Sequence, residues 1–103
     1  MDKNNKLEIE AIFNLAIKNH LENKIDIAQN LYEKVLKIYP NHSRALNHLG
    51  ILSYNLNNND QAIEYFQKAI DVNPLEADAY NNLGTIFKNL NKTAKAVECF
   101  TKA

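Results

Sequence analysis

Pro40-Asn41-His42-Ser43-Arg44-Ala45-Leu46-Asn47-His48-Leu49-Gly50 is followed 34 residues later by Pro74-Leu75-Glu76-Ala77-Asp78-Ala79-Tyr80-Asn81-Asn82-Leu83-Gly84. Proline, a large apolar residue, leucine and glycine recur in one register. Working outward, the same spacing relates Leu15 to Leu49 and Leu83, Ala28 to Ala62 and Ala96, and Tyr32 to Phe66 and Phe100. A small residue recurs at Ala16, Gly50 and Gly84, a large apolar one at Ile12, Leu46 and Tyr80, and a modest one at Val35, Ala69 and Ala103. Periods of 20 to 50 residues mark a solenoid, whose units bury their apolar faces only by stacking. The repeats span 9–42, 43–76 and 77–103, the third stopping seven residues short of the 34-residue unit, with 1–8 as a lead-in.

Each repeat carries two apolar stripes at helical spacing, as in Ile9, Ile12, Phe13 and Ala16, then Ala28, Leu31, Tyr32, Val35 and Leu36. The spacing predicts helices at about 7–21, 26–38, 43–56, 60–72, 76–90 and 93–103. Short connections make neighbouring helices antiparallel. The small residue at 16, 50 or 84 allows the first helix to approach the second, and the aromatic residue at 32, 66 or 100 fills the remaining gap. Pro40 and Pro74 end the second helices, because proline lacks an N–H and pushes its predecessor into extended backbone.

These columns resemble the tetratricopeptide repeat family. Its pattern of large, Leu, Gly, aromatic, Ala, aromatic, Ala and Pro is met by Leu46, Leu49, Gly50, Ala62, Phe66, Ala69 and Pro74, and again by Tyr80, Leu83, Gly84, Phe87, Ala96, Phe100 and Ala103. Repeat one is looser, with Ala16 in place of glycine; Asn19 and Ser53 stand where Phe87 has the usual aromatic. The resemblance implies an all-α, right-handed solenoid of antiparallel helix hairpins, two full units and a truncated third. Where the family usually has glycine between its helices, this chain has Asn23, Asn57 and Asn91. Asparagine is the non-glycine residue that best tolerates positive φ at a helix end, so these three, or the residue immediately beside each, are expected to adopt it.

The function that the resemblance implies is protein–protein interaction, through a groove lined by the first helices. Carried over position by position, the candidate contact residues are Asn14, Ile17, Arg44, Asn47, His48, Ile51, Tyr54, Asn81, Asn82 and Lys88. Phe13 falls on the same lining. Asn14, His48 and Asn82 share one column, similar to the asparagine ladder in the repeat arm of a glycosyltransferase, and could hold the backbone of an extended peptide. Glu10, Arg44 and Asp78 share another column. Arg44, the single arginine, either offers its fork to a partner carboxylate or is balanced by its acidic neighbours. Family members that bind acidic chaperone tails use a clamp of Lys, Asn, Asn, Lys and Arg. The matching positions here hold Phe13, Ile17, His48, Asp78 and Asn82, so that partner is not expected.

Composition narrows the alternatives. Twelve Lys and Arg balance twelve Asp and Glu, so no overall field draws the chain to nucleic acid or an anionic membrane. His20, His42, His48 and Cys99 show no metal-ligand spacing, and Gly50 and Gly84 form no phosphate loop. No metal, cofactor or catalytic residue is expected. The opening Met1-Asp2-Lys3-Asn4-Asn5-Lys6 lacks the apolar run of a signal peptide, and a cytoplasmic address is the expectation. Two further readings remain: an N-terminal substrate-recognition arm of a larger glycosyltransferase or sulfotransferase, and a self-assembly scaffold that associates through the truncated C-terminal end.

Overall fold

The computed structural model describes residues 3–103, among which there are six helices. In chain order they are α1 (Lys3–Leu21), α2 (Ile25–Ile38), α3 (Ser43–Asn55), α4 (Asn59–Val72), α5 (Ala77–Asn89) and α6 (Thr93–Lys102). Every expected helix is present. The lead-in assigned to 1–8 is not a separate segment, because α1 already runs through residues 3–8; Met1 and Asp2 lie outside the described residues.

The pairs α1–α2, α3–α4 and α5–α6 form three hairpins, and α2 packs on α3 as α4 packs on α5. The stack is elongated, 44 × 27 × 18 Å. Each hairpin turns on asparagine: Asn23, Asn57 and Asn91 have φ of 61°, 63° and 60°. The residue after each closes the helix by a 6→1 hydrogen bond, from Lys24 N to Asn19 O, Asn58 N to Ser53 O and Lys92 N to Phe87 O, each 2.8 Å. Between hairpins the chain is extended at Tyr39 and Asn73, with φ near −139° and −137°, as a following proline requires. His42 then caps α3 by accepting from the Ala45 amide, and Asn58 caps α4 through Gln61 N.

The glycines are required by close approach. A Cβ on Gly50 would stand 2.5 Å from a ring carbon of Phe66, and one on Gly84 2.7 Å from Phe100. The aromatic ring therefore lies directly over the bare backbone of the facing helix. Burial separates the middle of the stack from its ends. Leu49 and Leu83 are buried, but Leu15 in the same column is 49% exposed; Phe66 is buried, but Phe100 is 42% exposed. The Leu column packs on the preceding repeat and the aromatic column is covered by the following one. Column identity alone does not bury a side chain.

Candidate functional site

Between α3 and α5 lies a hollow of about 270 Å3 that brings together Arg44, Asn47, His48, Ile51, Asn81 and Asn82. Glu76 and Asp78 complete its walls. Asn14, Ile17, Tyr54 and Lys88 do not line it. Asn14 and Lys88 are exposed on α1 and α5, whereas Ile17 packs partly against the core of the first two repeats.

Three of the sequence-derived assignments change once side chains are placed. Phe13 is buried, with no open face on a groove. Asn47 is only 5% exposed, and its Oδ1 accepts from Asn82 Nδ2 at 3.2 Å, so it ties repeat two to repeat three. The column Asn14, His48, Asn82 is consequently not a row of three open groups: Asn82 is engaged with Asn47, and His48 is stacked face to face on Tyr32, ring centroids 5.3 Å apart. Two more ties cross the same boundary, from Ser43 Oγ to Glu76 Oε2 and from Asn89 Nδ2 to Tyr54 Oη. Lacking a local signal, Glu76 escaped the sequence reading; its position one period after His42 is the only hint.

The boundary between repeats one and two is built differently. His48 meets Phe13 and His20 edge-on at 5.6 and 6.0 Å, and His20 Nδ1 lies 3.2 Å from Tyr32 Oη. His42 lies against Phe13 at 4.8 Å. Burial, reinforced by His20 and Arg44, pushes the His48 imidazole down to about 4, although Asp78 opposes this. Among the described residues, His48 Nδ1 is buried without a hydrogen-bond partner. Burial also lowers His20, and burial with the Arg44 charge lowers His42. At neutral pH these rings are uncharged.

Arg44 settles over an aromatic face. Its guanidinium carbon stands 4.9 Å from the Phe13 ring centroid, and no ion pair to Glu10 or Asp78 occurs among the described residues. Arg44 also lines the same hollow as Glu76 and Asp78. No group of three or more His, Cys, Asp or Glu side chains that could hold a metal is found among the described residues, and none of the described helices is long and apolar enough to cross a membrane.

Models of the tetratricopeptide repeat match residues 10–42, 43–74 and 65–98. The chain belongs to the tetratricopeptide repeat family. Two solved structures, "Crystal structure of MamA" and "Crystal structure of MamA protein", superpose with TM-scores of 0.84 and 0.81 at 23% identity in each case. Each alignment covers 91% of this chain but only 55% and 51% of those chains, so the chain spans about half their length. At that identity the likeness is one of fold. No curated protein matches this chain in sequence.

Proposed function

Tetratricopeptide repeats are protein-interaction modules, and we propose that this chain binds a segment of a partner protein along the face formed by α1, α3 and α5. The observation that carries the reading is the hollow between α3 and α5, where an apolar floor at Ile51 lies beside the amides of Asn81 and Asn82 and the charges of Arg44, Glu76 and Asp78. A preformed site on packed helices limits the ordering required on binding. The polar groups fix the register of an extended segment, and Ile51 takes an apolar side chain. A second hollow, about 340 Å3 between α2 and α4, opens around Tyr65, Leu36 and Val72, with Asn41 as the one side-chain amide in its lining.

A photo-cross-linking side chain at Asn81 tests this reading against one at exposed Gln67 on α4. Capture of one partner, identified by mass spectrometry, from position 81 and not from 67 is the expected result. Capture from 67 alone overturns it. Self-assembly is supported by a separate observation: exposed Leu15 and Phe100 are the matching halves of a junction that the chain makes twice within itself. Sedimentation across a concentration series should then show reversible association, and a strictly monomeric chain would refute stacking.

A further inference from the structure

We propose that the hollow between α3 and α5 seats a cationic side chain, lysine or arginine, on an extended segment of a partner protein, with the apolar neighbour of that residue on Ile51. This rests on the reading of the α1, α3 and α5 face given above. The charged lining consists of one guanidinium and two carboxylates. Arg44 is directed to the Phe13 ring and forms no ion pair among the described residues. The ion pairs that do form there, Glu64 with Lys68 and Glu98 with Lys102, lie on the second helices, away from the hollow.

Neither carboxylate is ion-paired among the described residues, and the lining sets two negative charges against the one positive charge of Arg44. Asp78 is exposed in the first turn of α5. Glu76 is half-buried just before that turn and accepts two bonds from neutral donors, Ser43 Oγ at 3.3 Å and Asn73 Nδ2 at 3.5 Å, both on Oε2. Neutral donors orient a carboxylate without cancelling its charge. His48 borders the same space but is uncharged at neutral pH, so it adds no compensating cation.

An incoming carboxylate would meet two charges of its own sign, Asp78 and Glu76, against the single guanidinium of Arg44. A cation meets two charges of opposite sign in a partly enclosed site, where screening is weaker than on the open surface. Arginine suits this geometry further because its fork can bond Asp78 with two parallel N–H groups. Asn81, exposed beside Asp78, is placed to bond the segment's backbone.

Three blocked hexapeptides test this, Ala-Ala-Leu-Arg-Ala-Ala and its versions with Gln or Glu in place of Arg, titrated into the nitrogen-15-labelled chain and followed by amide chemical shifts. The Arg peptide should move the signals of Ile51, Asp78 and Asn81 and bind at least about fivefold more tightly than the Gln peptide, with the Glu peptide weakest. Asp78→Asn, an exposed change, should bring the Arg and Gln peptides to within about twofold of each other. Equal binding of Arg and Gln peptides at these residues overturns the cation preference but leaves the face intact as a binding site. Shifts confined to α2, α4 and α6 overturn both readings. No shift at millimolar peptide overturns the cation seat alone, because the cross-linking experiment tests the face independently.

Discussion

The two boundaries between repeats are made by the same columns but held by different chemistry. Repeat one meets repeat two through Leu49 and a set of stacked and edge-on rings, Phe13, His20, Tyr32 and His48, with Arg44 over Phe13. Repeat two meets repeat three through Leu83 and side-chain hydrogen bonds, Asn82 to Asn47, Ser43 to Glu76 and Asn89 to Tyr54. The leucine column supplies the shared apolar contact. What surrounds it decides how each boundary responds to acid, to truncation and to a ligand. The first boundary contains all three histidines of the chain, and the second offers the open hollow.

Removing the shared contact from one boundary should have the largest effect. Leu49→Ala deletes a buried side chain from the core of repeats one and two and should destabilise by about 2 to 4 kcal/mol. Urea unfolding measures the loss. Native-state hydrogen exchange should show α1 and α2 losing protection while α5 keeps it. Uniform loss in every helix would mean that the two boundaries are one cooperative unit and that their difference has no energetic meaning.

Acid provides the next test. The folded His48 imidazole lies near 4, below its ordinary 6.5, so the unfolded chain binds more protons between those values. The stabilisation from neutral His48 is fully present above about pH 6.5 and is lost as pH falls toward about 4. His20 and His42 are lowered as well and add to the same trend. At about pH 5 the first boundary, which holds all three lowered histidines, should loosen before the second. His48→Phe keeps a ring against Tyr32 without a titrating nitrogen and should flatten the fall in melting temperature between neutral pH and pH 5. An unchanged slope would show that the ring cluster does not govern acid sensitivity.

The smallest effect belongs to the amide pair. Asn82→Ala leaves Asn47 Oδ1 buried without its donor, a loss of about 1 to 3 kcal/mol. Adding Asn47→Leu removes the orphaned group and should recover most of that loss. Chemical denaturation of the single and double variants distinguishes a bonded strut from two independent surface amides. If the double variant is as unstable as the sum of its parts, the bond is not what ties repeats two and three.

Much of the architecture was legible from local rules. The 34-residue period places all six helices, because each apolar stripe must face its neighbours. Positive φ at Asn23, Asn57 and Asn91 follows from where a first helix must end before its partner begins, and Pro40 and Pro74 impose extended backbone on Tyr39 and Asn73. These are properties of residues within one or two turns of each other. The groove was legible as a set of positions, but not as a set of available groups.

Availability depends on partners that come from another repeat. Asn47 and Asn82 are similar residues in sequence, and only their approach across 35 residues turns them into a bonded pair. Arg44 had carboxylates in its own column, yet packing set it over Phe13. Leu15 and Leu49 occupy one column, but Leu49 is buried and Leu15 is exposed. Sequence by itself determined the helices, their turns and the order of the stack, since these rest on periodicity and backbone preference. Tertiary structure alone decided which polar groups are engaged and which leucines are covered, because burial and hydrogen-bond pairing are set by neighbours that local sequence does not specify.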